Sequence, residues 1–164
     1  MEQIKLEINE DVLTEYEAVY FAAHPRAKLR PISKPYHESI NKWMIMKRMA
    51  MNNLKQKWKD FIIWFVASQG YTDFTIMKCR VTVDAYYPTA RRHDIDNSCP
   101  KFILDGLVDS GLIYDDDMRH LTELVLHCDI DKERPRTEIY IDYEATDKGP
   151  RKEIKEGSSN GEED

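Results

Sequence analysis

The chain has 164 residues, of which 41% are hydrophobic and 33% are charged, and this provides enough apolar material for one folded domain. The composition excludes collagen-like and wholly disordered proteins, and no apolar run approaches the roughly 18 residues that a membrane span needs. The net charge of −6, taken alone, argues against a nucleic-acid-binding protein.

The distribution of charge along the chain is more informative than its total. Residues 24–92 carry a net charge of +10, whereas residues 93–143 carry −8. Basic surface attracts phosphates, and clustered carboxylates either repel phosphates or bind a divalent cation that bridges to them. The sequence therefore keeps a nucleic-acid ligand open.

Cysteine usage and the N-terminal segment indicate the compartment. The three cysteines form no CxxC pair, which argues against a disulfide framework or a zinc knuckle and favours reduced thiols. The N-terminal segment alternates in charge and lacks the apolar centre of a secretion signal. We therefore expect a cytoplasmic protein.

The N-terminal elements follow from periodicity. Alternating apolar residues predict a short strand at 3–8, and helical spacing predicts a helix from Asp11 to Ala23. Residues 24–35 are basic and contain three prolines, each of which disfavours helical geometry at the residue before it. This segment is therefore predicted to be a loop.

A long helix is predicted from about Tyr36 to Gln69, because apolar residues recur there at three- and four-residue steps. Four basic residues fall between the apolar positions and form the edge of that face: Lys47, Arg48, Lys55 and Lys59. They form either a surface that faces DNA phosphates or an ordinary solvated helix face, and the pattern leaves both interpretations open.

The second half of the chain alternates between strand and helix signals. Residues 74–87 predict a long strand, and a helix is predicted between Pro100 and Gly111. Two further strands are predicted near Leu121–Ile130 and Arg136–Tyr143.

These elements predict one α+β domain over 1–144 with a mixed sheet packed by helices, in the order β-(α)-α-β-α-β-β. Residues 145–164 are charged, contain one large apolar side chain and are predicted to be a disordered tail.

One segment has chemical potential above the background. Arg91-Arg92-His93-Asp94-Ile95-Asp96-Asn97 is followed by Lys101 and, after the predicted helix, by Asp115-Asp116-Asp117. On an extended segment Asp94 and Asp96 point the same way, and a third carboxylate would complete an oxygen-rich Mg²⁺ site. Such an ion polarises a phosphoryl oxygen and activates water, which phosphodiester hydrolysis requires. A nearby lysine would neutralise transition-state charge.

A structural interpretation of the same residues stays open, because Asp and Asn are common in turns and helix caps and an acidic triplet in a loop is usually solvated. His93 could position water or contact a phosphate. A calcium loop starting at Asp94 fits less well, because its sixth position is Cys99 instead of Gly.

The three segments Arg91–Asn97, Lys101–Leu107 and Gly111–Asp117 together resemble the RusA-type Holliday junction resolvase family. The family pattern is a basic-flanked Asp-x-Asp-Asn, a helix with a lysine and an Asp-Ala/Gly-Leu, and then an Asp-Asp pair. Lys101 follows Asp94 by seven residues, one more than in the family, and the extra residue falls in Ser98–Pro100.

The resemblance implies a RusA-like fold and a Mg²⁺-dependent endonuclease that acts as a homodimer on four-way DNA junctions by paired symmetric nicks. It assigns metal-binding and catalytic roles to Asp94, Asp96 and Asp116, and a catalytic role to Lys101. Arg91 and Arg92 would hold the flanking backbone phosphates.

Other functions remain open at this point. The motif does not separate four-way junctions from forks or flaps as the substrate. A non-catalytic protein that binds branched DNA would have the same basic region, and a module regulated by Ca²⁺ or Mg²⁺ would bind metal without DNA.

Overall fold

Four strands form the main sheet: β1 (Glu2–Ile8), β3 (Cys79–Tyr87), β4 (Leu121–Ile130) and β5 (Arg136–Tyr143). Their order is β1-β5-β3-β4 in this computed structural model, which describes residues 1–91 and 93–154. β3 and β4 are parallel, and the β1–β5 and β5–β3 pairs are antiparallel. The prediction of a mixed sheet in one α+β domain is therefore confirmed.

The helices are α1 (Glu10–Ala23), α2 (Ile40–Trp43), α3 (Arg48–Ser68) and α4 (Lys101–Asp109). α1 begins where the Asn9 side chain accepts a hydrogen bond from the Val12 backbone N–H at 3.0 Å. α3 buries side chains at three- and four-residue steps, namely Trp58, Phe61, Ile62, Phe65 and Val66. This periodicity is the one that predicted the helix.

The two faces of the main sheet differ in polarity. Alternate residues of β3, such as Val81 and Val83, are buried in one core with the helices. The opposite face carries charged side chains in ion pairs: the Lys5 Nζ lies 3.4 Å and the Arg136 Nε 3.2 Å from the Glu138 carboxylate. The helices therefore cover only one face of the sheet.

Close packing of α4 on α3 depends on Gly106. A methyl group at this glycine would lie 2.6 Å from the Cβ of Ile62, well inside van der Waals contact. This close approach fixes the position of α4, which begins with Lys101.

Replacing Gly106 by Ala is expected to destabilise the protein by roughly 1–3 kcal/mol, because the overpacking exceeds the gain in helix propensity of about 1 kcal/mol. Urea denaturation measures the free energy of unfolding. Gly149→Ala is the matched control, because its methyl group would approach most closely the flexible side chain of Met77, at 3.3 Å, and would lie 3.8 Å from the Thr75 carbonyl oxygen. Equal stability of Gly106→Ala and the native protein would contradict the close packing.

Two predicted elements are interrupted in the structure. The helix predicted over 36–69 consists of α2 and α3, with extended backbone at Lys47 before α3 begins. α2 instead brings Trp43 against Phe102 at the start of α4, with 5.4 Å between ring centroids. The strand predicted over 74–87 is also divided, into β2 (Phe74–Ile76) and β3. At this second break the Met77 N–H donates to the Asp147 carbonyl at 2.7 Å, so a distant segment contacts the chain at each break.

The predicted start of the disordered tail at 145 is wrong. A short 3-10 helix, Ala145–Asp147, leads into β6 (Lys148–Pro150), which pairs with β2. Arg151 then donates hydrogen bonds to backbone carbonyls at Tyr71, Phe74 and Ser110.

Lys152 extends this contact to the end of α4, where its Nζ donates to the carbonyls of Val108 at 3.1 Å and Tyr114 at 2.8 Å. Helix C-termini leave carbonyls without intrahelical partners, and these two cations satisfy them. The ordered domain therefore continues at least to Lys152. Residues 155–164 of the predicted tail lie outside the described residues.

Candidate active site

The segment that carries Asp94 and Asp96 connects the end of β3 to the start of α4 and includes a 3-10 helix, Ile95–Ser98. The Ser98 hydroxyl lies 3.2 Å from the Tyr87 hydroxyl and accepts a hydrogen bond from the Cys128 thiol, also at 3.2 Å. These contacts tie the segment to both β3 and β4.

An aromatic stack precedes the first aspartate. The His93 ring lies parallel to the Tyr87 ring, with 3.8 Å between centroids and 7° between planes. Tyr36, from the loop before α2, meets Tyr87 edge-on at 4.9 Å. His93 is exposed, whereas Tyr87 is buried beneath it.

A cleft of about 580 Å³ opens beside this stack. Its lining residues come from the loop before α2, from α2 and from the Asp94 segment: Lys34, Tyr36, His37, Glu38, Ser39, Asn41, Lys42, Tyr87, His93, Asp94, Asn97 and Ser98. The cleft therefore combines two lysines, an aromatic surface and the first predicted catalytic aspartate.

A buried histidine anchors the start of α4. The His37 Nδ1–H donates to the Glu38 carbonyl at 2.6 Å, and its Nε2 accepts the Phe102 backbone N–H at 3.0 Å. The ring packs between Trp58 and Phe102. Burial lowers the pKa of His37 to about 4, so the side chain is neutral at pH 7 and Nε2 can serve as an acceptor.

Lys101 begins α4 and lies one turn before Asp105, with 3.5 Å between the Lys101 Nζ and the Asp105 Oδ2. That carboxylate oxygen is buried and has no hydrogen-bond partner among the described residues. The contact is thus an ion pair without hydrogen-bond geometry, and a buried carboxylate oxygen without such a bond favours a nearby cation.

The three aspartates at 115–117 have different environments. The Asp117 carboxylate accepts hydrogen bonds from the Arg119 side chain and from backbone N–H groups, which lowers its pKa. Asp115 accepts the Asp116 N–H at 2.7 Å. Burial, a hydrogen bond with Asp115, and the charges of Asp105 and Asp115 raise the pKa of Asp116. The surroundings of Asp116 therefore disfavour its charged form, whereas those of Asp117 favour it.

The predicted metal ligands do not form one cluster in the described residues. Asp94 lines the cleft, Asp96 is exposed on the 3-10 helix, and Asp116 interacts electrostatically with Asp105. No group of three metal-ligating side chains occurs within the described part of the chain. The donors still fit a hard cation: all are carboxylate oxygens, and the buried Asp105 oxygen would be satisfied by one.

The predicted DNA-binding residues have mixed environments. Lys47, Arg48 and Lys55 are exposed at the start and along one side of α3, and Arg91 is exposed after β3. The Lys59 Nζ instead lies 3.4 Å from the Asp109 carboxylate of α4. Arg92 lies outside the described residues.

Sequence reasoning missed three residues of this region. Lys34 lies in the segment predicted to be a loop, His37 lies near the start of the helix predicted from Tyr36, and Asp105 is part of the family pattern only. The four-residue step between Lys101 and Asp105 was a signal for their ion pair. Nothing in the sequence indicated that His37 would reach α4, because 65 residues separate it from Phe102.

Comparison with known proteins assigns neither a family nor a function to the chain. No model of a known protein family matches the chain, and no curated protein matches it. Among the described residues, none of the helices has the length and apolar character required to cross a membrane.

Proposed function

We propose that this protein is a Mg²⁺-dependent endodeoxyribonuclease that resolves four-way DNA junctions by paired symmetric nicks, in recombination or repair. The observation that carries the proposal is the motif around Asp94, Asp96, Lys101 and Asp116, together with the lysine-lined cleft beside Asp94. Cationic side chains beside acidic ones suit a substrate with a phosphate backbone that is cut with a divalent ion.

The carboxylates of Asp94, Asp96 and Asp116 form no single cluster in the described residues, so they would have to come closer together to hold Mg²⁺. When bound, Mg²⁺ supplies an activated water and polarises the scissile phosphate. Lys101, at the start of α4, would neutralise charge that develops on the phosphate. The raised pKa of Asp116 supports this role, because a bound cation favours the charged form of a carboxyl group that its neighbours otherwise disfavour.

DNA affinity in this proposal comes from basic residues outside the acidic centre. Arg91 and Arg92 would contact phosphates next to the scissile bond, and Lys47, Arg48 and Lys55 would contact a second stretch of backbone. Lys59 would contribute less, because Asp109 already neutralises it. Binding should therefore weaken steeply as monovalent salt increases.

A second candidate function is a non-catalytic protein that binds branched DNA. The structural roles of two acidic residues favour it: Asp117 holds Arg119 and two backbone N–H groups, and Asp105 pairs with Lys101. In this case the aspartates serve the fold, and junction binding occurs without cleavage. Forks and flaps are alternative substrates for either function.

An immobile four-way junction with end-labelled strands tests the proposal. We expect paired symmetric nicks with Mg²⁺, loss of cleavage with EDTA or with Asp96→Asn, and no cleavage of a linear duplex. Binding without cleavage in any divalent metal would contradict the nuclease and establish the non-catalytic alternative. Cleavage that is unchanged by EDTA would contradict the metal mechanism.

We also propose that the protein acts as a homodimer, because resolving a junction needs two coordinated cuts on opposing strands. β4 is ten residues long and has one hydrogen-bonded neighbour, β3, within the described strands. Antiparallel pairing of two copies about Val125 would set Glu123 opposite the partner's His127 and Leu124 opposite the partner's Leu126. The apolar side chains at this edge are therefore self-complementary.

This pairing would also set the distance between the two sites. Because Ser98 contacts Cys128, each Asp94 segment lies near the same end of its β4. Cys128 would lie opposite the partner's Thr122, which separates the two copies of Cys128 by about 20 Å along the strands at a rise of ~3.4 Å per residue. Both sites would lie on the helical side of a continuous sheet, about one duplex width apart.

Val125→Lys is expected to convert the dimer to a monomer, because two ammonium groups would meet at the symmetry axis. Sedimentation analysis measures the molecular mass in solution. Val19→Lys on α1, where the valine is 46% exposed, is the control and should leave the dimer intact. A dimer that persists in Val125→Lys would contradict the β4 interface.

A cytoplasmic location completes the proposal. Cys79, Cys99 and Cys128 are all free thiols, which is typical of proteins in reducing compartments. Recovery of the protein from an exported fraction of fractionated cells would contradict this location.

A further inference from the structure

The cleft beside Asp94 has an aromatic wall that the proposed chemistry does not use. One face of the His93 ring is covered by Tyr87 at 3.8 Å, and His93 is nevertheless exposed. The opposite face of this ring is thus the accessible one. Tyr87 itself contacts the Tyr36 ring and the Ser98 hydroxyl, so two neighbouring segments support the ring beneath His93.

Two lysines flank this aromatic wall on the side of the loop before α2. The Lys34 side chain is exposed and its Nζ lies 5.8 Å from the Tyr36 ring centroid. The Lys42 Nζ lies 2.9 Å from the Glu38 carboxylate, and its side chain is 58% exposed. An aromatic face with cations beside it is the combination that binds unpaired nucleotides, since the ring stacks on a base and the cations contact its phosphate.

We propose that this cleft binds one unpaired nucleotide of DNA, with its base stacked on His93 and its phosphate beside Lys34. Lys42 would contribute less, because Glu38 already neutralises it. The volume of about 580 Å³ lies within the range of sites that enclose a small ligand. The inference rests on the proposed function, because it assumes a DNA substrate. The unpaired nucleotide is the feature of the DNA substrate that the cleft would recognise.

The inference explains how the protein would distinguish branched from linear DNA. In a linear duplex every base is paired and stacked, so filling the cleft requires unstacking a base. At a bulge an unpaired base is available with little of that cost, and at a branch point the base stack is interrupted, so a base there is displaced more easily than in a linear duplex. The nucleotide in the cleft would also bring its backbone next to Asp94, which lines the same cleft.

Binding in EDTA tests this inference without cleavage. Fluorescence anisotropy with the full chain would compare a linear duplex with the same duplex carrying one unpaired adenine. We expect tighter binding to the bulged duplex, and His93→Ala should reduce this preference by about tenfold, within the range of base–aromatic stacking. His93→Phe should restore the preference, and Lys34→Glu should weaken binding to the bulged duplex.

His24→Ala is a matched control, because His24 is also exposed and stacked on a tyrosine, Tyr20, with 4.3 Å between centroids. It should leave the preference unchanged. A preference that survives His93→Ala would overturn the cleft proposal while leaving DNA binding intact. Absence of binding to both duplexes and to a four-way junction would overturn the proposed function and this inference together.

Discussion

Asp116→Asn is expected to reduce the rate of junction cleavage in Mg²⁺ by at least about 100-fold. The substitution removes a charge that would hold the cation. The rate falls about tenfold for every 1.36 kcal/mol of transition-state stabilisation that is lost, so a loss of several kcal/mol gives a reduction of this size. Single-turnover cleavage of the four-way junction, with enzyme in excess, measures this rate directly. Junction affinity in EDTA should not fall, because removing an acidic charge does not weaken phosphate contacts.

The neighbouring aspartate provides a matched control for this experiment. Asp117→Asn makes the same change in charge one residue away and keeps an oxygen that can accept the backbone N–H groups of Arg119 and His120. Its ion pair with Arg119 is exposed, so its loss should change stability little. We therefore expect Asp117→Asn to cleave the junction at a rate within about twofold of the native rate. Equal losses in both variants would contradict a specific role for Asp116.

His37 should make the stability of the protein depend on pH between about 4 and 6.5. The pKa of His37 is lowered to about 4 in the folded state from an ordinary value of 6.5, so in this window the unfolded state binds the additional proton. Stability from this residue is present above about pH 6.5 and is lost as the pH falls toward 4. The free energy of unfolding should fall by about 3 kcal/mol across this range, because one pKa unit corresponds to about 1.36 kcal/mol.

Urea denaturation at pH 7 and pH 4.5 measures this loss in the native protein and in His37→Gln. The variant does not titrate, so its stability should be lower at pH 7 and should change less with pH. The difference between the two profiles isolates His37 from the acidic residues that titrate nearby. His24→Gln, at an exposed histidine, should follow the native profile. Parallel profiles for the native protein and His37→Gln would contradict the buried neutral histidine.

His37 also links stability to the candidate site. It accepts the Phe102 N–H at the start of α4, immediately after Lys101. Protonation of Nε2 would remove this acceptor, and the first turn of α4 would lose its anchor. Lys101 would then be less well positioned toward the phosphate, so acid should reduce both stability and cleavage.

Local sequence patterns determined most of the secondary structure. The strands at 121–130 and 136–143 and the helix after Pro100 have their predicted bounds to within a few residues. Such patterns are reliable because a strand or helix that buries one face must repeat its apolar residues at a fixed period. The acidic motif and the helix that follows it could likewise be located from the sequence.

Only the tertiary structure decided where these elements break and what they contact. The 36–69 helix is interrupted because Trp43 packs against Phe102, and β6 forms because β2 offers it an edge. Composition alone assigned 145–152 to a tail, since the carbonyls that Arg151 and Lys152 satisfy are distant in the sequence.

The residues of the candidate site likewise fall into those that the sequence indicated and those that only the tertiary structure revealed. The sequence by itself indicated the acidic and basic residues that we propose carry the chemistry, because they all lie between Arg91 and Asp117. The tertiary structure decided that His37 anchors α4 and that Lys34 lines the cleft beside Asp94. It also decided that desolvation, together with the charge of Asp105, raises the pKa of Asp116. Each of these depends on a contact between distant segments, and periodicity within one segment carries no information about which other segment it will meet.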